Sequence, residues 1–226
     1  MDPIKQTFDP VIQNFPDLLS GLGTTLQLTL ISGAIALVAG VIVAVMRVAP
    51  FAPLRWLGTA YVEFVRNVPL LAHMFFWVFG LGFLGITLPE FVGAFCGLGF
   101  YTAAFVAEAV RAGILAVGRG QIEAARSLGL SYAQMMRLIL LPQAITVVVP
   151  PLGNLFIAMT KNTSVAAAVT VPDLLFQAQV VEARTFATYA VFLTTGALYL
   201  SLTLPLGGLV NLLERRMTRF RIAARL

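Results

Sequence analysis

Side chains that carry out covalent chemistry are scarce in this chain. Its 226 residues include one cysteine, Cys96, and one histidine, His73. The sequence contains no HExxH, CxxC or GxSxG pattern, which are common spacings of metal and nucleophile sites. Neither lysine, Lys5 or Lys161, follows a glycine, as the lysine of a phosphate-binding loop must. The sequence therefore predicts a non-catalytic chain with no metal centre and no cofactor of its own.

The other ionisable residues of interest lie near the ends of apolar runs. Glu63 and Arg66 are three residues apart, and Glu108 and Arg111 have the same spacing. Because residues at this spacing are neighbours on a helix surface, we interpret both as structural ion pairs. His73 lies one helical turn inside an apolar run, where we interpret it as a packed residue rather than a proton relay.

The charged segment GQIEAARSLGLSYAQMMRLILLPQA, residues 120–144, predicts two short helices. In the first, Glu123 complements the helix dipole and is spaced to pair with Arg126. Gly129 stands where a helix end favours a left-handed residue, and Ser131 with Gln134 matches a capping box. The second helix carries an apolar stripe: Tyr132, Met135, Met136, Ile139 and Leu140. This stripe fits either a loop resting on lipid headgroups or a docking surface for a partner.

The composition places these residues in a membrane protein. Hydrophobic residues make up 59% of the chain and charged residues 11%, far from the composition of a soluble domain. Charge-free runs of about 20 residues are long enough to span a bilayer. They predict a single all-α polytopic domain over residues 1–226, with five spans at roughly 20–46, 67–88, 91–110, 138–160 and 186–213 and a loop at 118–137.

The basic residues predict the orientation, because cytoplasmic segments are enriched in lysine and arginine. With the N-terminus outside and the C-terminus in the cytoplasm, the external segments contain only Lys5, Lys161 and Arg184. The internal segments then contain the others: Arg47, Arg55, Arg66, Arg111, Arg119, Arg126, Arg137, Arg215, Arg216, Arg219, Arg221 and Arg225. The net charge of +5 thus follows the membrane topology and does not indicate nucleic-acid binding.

The predicted spans resemble the walls of a transport path more than a simple anchor. Ser32, Ala36, Gly40 and Ala44 form a small-residue ridge on the first span, which lets another helix approach closely. The fourth span contains Pro150 and Pro151, and broken helices are tolerated only beside protein or water. Candidate path residues are Asn154, Thr160, Lys161, Asn162, Thr163 and Ser164. Their polar groups could instead bond backbone carbonyls, and Lys161 could attract a carboxylate or extend to the membrane surface.

Several segments resemble, in order, the permease subunit of a binding-protein-dependent ABC importer. The pattern Glu123-Ala124-Ala125, three residues, Gly129, nine residues and Ile139-Leu140-Leu141-Pro142 is similar to the family's EAA motif. The preceding Gly120-Gln121 resembles the polar amino acid uptake branch. Further similarities lie in residues 63–71, 101–114 and 161–165. The chain departs from the branch at Asn67-Val68, Asn162 and Val165.

The resemblance implies a type I importer fold with a five-helix core in a bacterial inner membrane. It implies a second permease subunit, identical or paralogous, two cytoplasmic ATPase subunits that bind ATP, and an extracytoplasmic binding protein that delivers a polar amino acid. It assigns coupling to the ATPase to the EAA loop and its surroundings: Gln121, Glu123, Ala124, Ala125, Gly129, Ser131 and Pro142.

A stand-alone secondary carrier or channel for small solutes is the alternative. An ion-coupled carrier is expected to place ionisable groups deep in its spans, and the predicted spans contain only His73. A membrane scaffold or enzyme is disfavoured because no convergent catalytic set is present. Flux in liposomes that contain no ATPase separates the alternative from the subunit hypothesis.

Overall fold

The computed structural model describes the backbone of residues 3–223 and the side chains of residues 7–118, 120–131, 134–135 and 137–216. The described backbone is helical and contains no strand. Its α-helices are α1 (Pro3–Gln13), α2 (Phe15–Val48), α3 (Ala52–Asn67), α4 (Leu70–Val78), α5 (Glu90–Leu115), α6 (Arg119–Ser127), α7 (Tyr132–Met135), α8 (Leu141–Asn162), α9 (Leu174–Thr185) and α10 (Thr188–Ala223). Two 3-10 helices, Gly80–Leu84 and Thr163–Val169, and one π-helix, Met136–Leu140, complete them.

Four helical segments within the described residues are long and apolar enough to cross a membrane. They are Phe15–Val48, Glu90–Leu115, Arg137–Val169 and Thr188–Arg216. α2 has 34 residues and is therefore about 51 Å long, more than the roughly 30 Å of a hydrocarbon core. The first, third, fourth and fifth predicted spans lie largely within these segments.

Within the second predicted span, 67–88, the structure has the short α4 followed by the 3-10 helix Gly80–Leu84 rather than one long helix. α3 ends at Asn67, and Val68 is extended because the following Pro69 disfavours the helical conformation. α4 then has nine residues and is about 13 Å long, too short to cross a bilayer alone. The His73 Nε2 group lies 3.3 Å from the Val65 carbonyl oxygen, near the end of α3. This contact connects α4 to the end of α3 across the break at Val68 and Pro69.

The centre of the protein is the contact between α2 and α5. The small-residue ridge of α2 is buried along its length, as the sequence predicts. Ser32 donates its hydroxyl hydrogen to the Phe95 carbonyl oxygen of α5 at 3.1 Å. A side chain at Gly40 would lie 2.9 Å from the Ala103 carbonyl oxygen. The two helices are therefore in near backbone contact, which the absence of larger side chains makes possible.

The two ends of this helix pair differ in structure. At the end near α9, Val11 of α1 and Leu18 of α2 pack with Leu174 and Val191. Asp17 and Arg184 form an exposed ion pair at 3.5 Å at the same end. At the opposite end, near α6, the chain between α5 and α8 folds into the loop predicted from the EAA-like motif. Residues 3–20 thus belong to the helical structure near α9.

Candidate functional site

The loop between α5 and α8 turns at Gly129. This glycine has a φ of +71°, in the left-handed region predicted for it. Its N–H donates to the Arg126 carbonyl at 2.9 Å, and the Leu130 N–H donates to the Ala125 carbonyl at 3.1 Å. These two bonds have the pattern of a Schellman motif, which satisfies the carbonyls at the end of α6. The turn therefore fixes the direction in which the chain leaves α6.

Ser131 and Gln134 form the predicted capping box at the start of α7. The Gln134 side-chain oxygen accepts the Ser131 N–H at 2.9 Å, and the Ser131 hydroxyl accepts the Gln134 N–H at 3.3 Å. Two N–H groups that have no partner within the helix are thereby satisfied. Both ends of the short connection between α6 and α7 are fixed by hydrogen bonds.

A small hydrophobic cluster, which we call the loop core, lies beneath the turn. Its buried members come from the turn just after α5, from α6, α7, the π-helix and the start of α8: Val117, Ala125, Met135, Leu140 and Ala144. The partly buried Ile114, Ile122, Leu130 and Ile139 pack against it. Met135 is 4% exposed, so this part of the apolar stripe faces the protein interior rather than a partner. The side chains of Tyr132 and Met136 lie outside the described residues.

The π-helix joins the loop to α8. It ends at Leu140, two residues before Pro142, which has no N–H to donate to the Leu138 carbonyl. A π-turn accommodates such an interruption without ending the helix. Helical structure thus continues from Tyr132 to Asn162, as the sequence predicts for a second helix joined to the fourth span.

The end of α5 is in close contact with the same part of α8. A side chain at Gly113 would lie 2.0 Å from Val148 Cγ2, so only glycine fits at this position. The loop core and this contact together join α5, the loop and α8 into one packed unit.

Most predicted coupling residues lie on the surface of the loop. Gln121, Glu123, Ala124, Gly129, Ser131 and Pro142 are exposed, whereas Ala125 is fully buried in the loop core. The ion pairs among the described side chains do not include the expected pair between Glu123 and Arg126. The Glu123 main-chain carbonyl accepts the Ser127 hydroxyl at 3.0 Å. The Glu123 carboxylate is thus available to a binding partner.

A cluster of three charges lies near the α6 end of the helix pair. Glu108 of α5 accepts hydrogen bonds from Arg111, as its spacing predicts, and also from Arg47 of α2. The Arg47 side chain is only 8% exposed, so the Glu108 carboxylate is needed to compensate its buried positive charge. Sequence reasoning missed Arg47 because it lies 61 residues from Glu108.

The predicted ion pair between Glu63 and Arg66 is absent from the described side chains. Arg66 instead places its guanidinium carbon 5.5 Å from the centre of the Phe105 ring, a cation–π contact. Glu63 is exposed, and its main-chain carbonyl accepts the Asn67 side-chain amide at 2.7 Å. Arg66 therefore contacts the Phe105 ring of α5 and not the Glu63 carboxylate.

The candidate path residues separate into two groups. The hydroxyls of Thr160, Thr163 and Ser164 donate to backbone carbonyls three or four residues earlier, at 2.8 to 2.9 Å. Asn154 and Lys161 are exposed on this chain, and Asn162 is half-buried. In this set, the side chains of Asn154, Lys161 and Asn162 are therefore the ones that do not donate to a nearby backbone carbonyl.

The sequence analysis missed Asp173, a fully buried carboxylate. It lies between the fourth and fifth predicted spans, where its carboxylate accepts the Tyr199 hydroxyl of α10 and the N–H of the next residue, Leu174, donates to Thr25 of α2. The available signal was that Asp173 is the only charged residue between Lys161 and Glu182. Among the described residues, no three His, Cys, Asp or Glu side chains come together as metal ligands would.

These features define the class of the protein as an all-α polytopic membrane protein whose capped loop is packed onto two spans. Residues 36–219 match the family model described as the binding-protein-dependent transport system inner membrane component. The chain belongs to this family and is a transmembrane permease subunit of an ABC importer.

Relatives and solved structures agree with this assignment. The probable glutamine ABC transporter permease protein GlnM of Bacillus subtilis is 47% identical over 209 residues, 92% of this chain and 97% of the relative. The glutamate transport system permease protein GluC of Corynebacterium glutamicum is 41% identical over 214 residues, 88% and 94% of the two chains. An amino acid ABC transporter crystallised with histidines matches with a TM-score of 0.87 and 35% identity, covering 92% of this chain and 98% of that one. The MetNI methionine transporter, at 24% identity and a TM-score of 0.72, has the same fold; the match covers 88% of this chain and 95% of that one.

Proposed function

We propose that this permease subunit forms part of the path for a polar amino acid and is driven by ATPase subunits that bind its α6–α7 loop. The observation that carries the coupling role is the loop itself, whose capped turn shares a hydrophobic core with α5 and α8. Because these parts are packed together, a force on α6 is transmitted to both spans. The N-terminus lies outside and the C-terminus in the cytoplasm in this proposal, so that the loop faces the ATPase.

The relatives support a polar amino acid as the substrate class. Relatives that are 32 to 47% identical to this chain are named for glutamine, glutamate, arginine and L-cystine transport. In this chain, the exposed Lys161 is the one lysine or arginine between Arg137 and Arg184. We assign to it the attraction of the substrate carboxylate, with Asn154 and Asn162 lining the same path.

Purification of the chain in mild detergent, followed by mass spectrometry, tests the proposed assembly. We expect an ABC ATPase to be recovered with the chain. In proteoliposomes that also contain the substrate-binding protein, uptake of labelled glutamine, glutamate, arginine or cystine should require the ATPase, a permease partner and ATP. Gradient-driven flux by the chain without any ATPase would contradict the proposal and favour a stand-alone carrier.

Gly129→Val tests the coupling role of the turn. The left-handed conformation costs an ordinary residue about 1–2 kcal/mol and a β-branched residue more. No atom outside the glycine and its chain neighbours lies within 4 Å of the added Cβ, so the substitution acts on the backbone alone. We expect ATP-dependent uptake and ATPase recovery to fall together.

Gly129→Asn is the matched control, because asparagine adopts the left-handed conformation with little strain. It should retain most of the uptake and of the recovered ATPase. Wild-type uptake and assembly in Gly129→Val would show that the direction of this turn does not determine coupling.

A further inference from the structure

Asp173 is bonded on both of its carboxylate oxygens although it is completely buried. Oδ1 accepts the Phe176 N–H at 2.9 Å, which makes Asp173 the N-cap of α9. Oδ2 accepts the Tyr199 hydroxyl of α10 at 3.3 Å. An N-cap needs only one acceptor oxygen, so the second bond links the cap to a different helix.

One further side chain, Thr25, completes what we call the Asp173 cluster: Thr25, Asp173 and Tyr199. The Leu174 N–H donates to the Thr25 hydroxyl oxygen of α2 at 3.1 Å. α2, the start of α9 and α10 thus meet at one group of hydrogen bonds.

The Asp173 cluster lies well inside the helices, away from the end at which Asp17 and Arg184 form their exposed ion pair. Thr25 is eight residues after Asp17, about 12 Å along α2, and Tyr199 is eleven residues after Thr188, about 16 Å along α10. An ionisable side chain at such a depth is costly and is usually kept for function. A side chain at Gly21 would lie 2.8 Å from the Asp173 carbonyl oxygen, so α2 closes tightly over the cluster.

The segment that ends at Asp173 also begins in the candidate path. Thr163 directly follows Lys161 and Asn162, and it begins the segment 163–173 that ends at Asp173. This segment contains Thr170 with a φ of +64°, a strained conformation that the surrounding contacts must maintain. The hydrogen bond to Tyr199 therefore connects a segment that begins beside the path to α10.

We propose that Asp173 is a positioning residue for transport, which holds segment 163–173 to α10 through Tyr199 so that the two move together when the permease changes conformation. This inference rests on the proposed function. A carboxylate suits the role because hydrogen bonds to a charged acceptor are stronger than neutral ones. When the link is lost, the ATPase cycle continues while the path residues no longer follow α10.

Tyr199→Phe removes the hydroxyl and keeps the ring. The complete transporter, with its ATPase and binding protein, is placed in proteoliposomes with the labelled amino acid of the panel that the wild type transports fastest. We expect the number of amino acids transported per ATP hydrolysed to fall about fivefold, the effect of one lost hydrogen bond, while the amount of assembled complex is retained. Asp173→Asn keeps a capping oxygen but not the charge, and should give a fall in the same direction.

Tyr189→Phe is the matched control, since Tyr189 is 91% exposed on the same helix. It should keep the wild-type transport ratio. A wild-type ratio in both Tyr199→Phe and Asp173→Asn overturns the inference, and so does a loss of assembled complex at an unchanged ratio, which indicates a structural role alone. If the wild-type complex takes up none of the panel with ATP, the proposed function itself fails.

Discussion

Glu108→Ala is expected to destabilise the assembled permease by about 3 kcal/mol, because it leaves the buried Arg47 charge without its carboxylate. Arg47 has little access to water, and its Nε has no hydrogen-bond partner among the described residues. Arg111 is 30% exposed and can reach solvent, so most of the cost falls on Arg47. The measurement is the thermal unfolding midpoint of the purified complex in detergent.

Glu63→Ala is the matched control for this change. Glu63 is an exposed glutamate without an ion pair among the described side chains, so its replacement should change the free energy of unfolding by less than about 0.5 kcal/mol. Exchange of both Arg47 and Glu108 for methionine should recover much of the loss, because apolar replacement of a buried pair is often nearly neutral. Equal midpoints for Glu108→Ala and Glu63→Ala would contradict the proposed dependence of Arg47 on Glu108.

Local sequence signals predicted the loop well. The left-handed turn needs only Gly129 after a short helix, and the capping box needs only Ser131 and Gln134 three residues apart. Both features are determined by neighbouring residues, and the structure contains both. The small-residue ridge of α2 was predictable for a similar reason, since its spacing of four follows directly from the helix period.

Features that depend on distant residues were not predictable from one sequence. Nothing near Glu108 indicates that Arg47 will bond to it, and nothing near Thr25 indicates Leu174, which lies 149 residues away. The apolar stripe of the second loop helix shows the opposite limit. Its periodicity predicts a buried face correctly, but not that Met135 faces the protein's own loop core instead of a partner.

The break near Pro69 lies at the start of the second predicted span and has a local cause. Proline disfavours helix in the residue before it, yet a kinked span and two separate helices have the same local sequence. The outcome depends on the packing of α3 and α4 on α5 and on the His73 contact with the Val65 carbonyl. Those contacts form only after the chain has folded.

Gly40→Ala should destabilise the permease although it adds one methyl group. The new Cβ would lie 2.5 Å from Val106 Cγ1 and 2.9 Å from the Ala103 carbonyl oxygen. Val106 is fully buried and, being β-branched, cannot rotate away easily, while the carbonyl belongs to the backbone of α5. α2 and α5 must therefore separate, and we expect a loss of about 1–3 kcal/mol, measured as a lower unfolding midpoint.

Gly23→Ala provides a control on the same helix, because its Cβ would have no such neighbour within 4 Å. Alanine favours helix over glycine, so this variant should be as stable as the wild type or up to about 1 kcal/mol more stable. If the unfolding midpoint falls in Gly40→Ala and rises in Gly23→Ala, the loss at Gly40 comes from close packing and not from helix propensity. Equal midpoints for the two variants would show that α2 and α5 can separate without cost.

A second substitution identifies which contact limits the approach. Val106→Ala removes the valine Cγ1 that would lie 2.5 Å from the new Cβ, but it leaves the Cβ of residue 106 at 2.6 Å and the Ala103 carbonyl oxygen at 2.9 Å. If the valine Cγ1 limits the approach, the double variant Gly40→Ala/Val106→Ala should be more stable than the sum of the single changes predicts. If the atoms that remain, the Cβ of residue 106 and the Ala103 carbonyl oxygen, limit the approach, the two effects should add. Because helix association in lipid depends on such close packing rather than on the hydrophobic effect, this contact helps to determine how firmly α5, and the loop packed on its end, is held to α2.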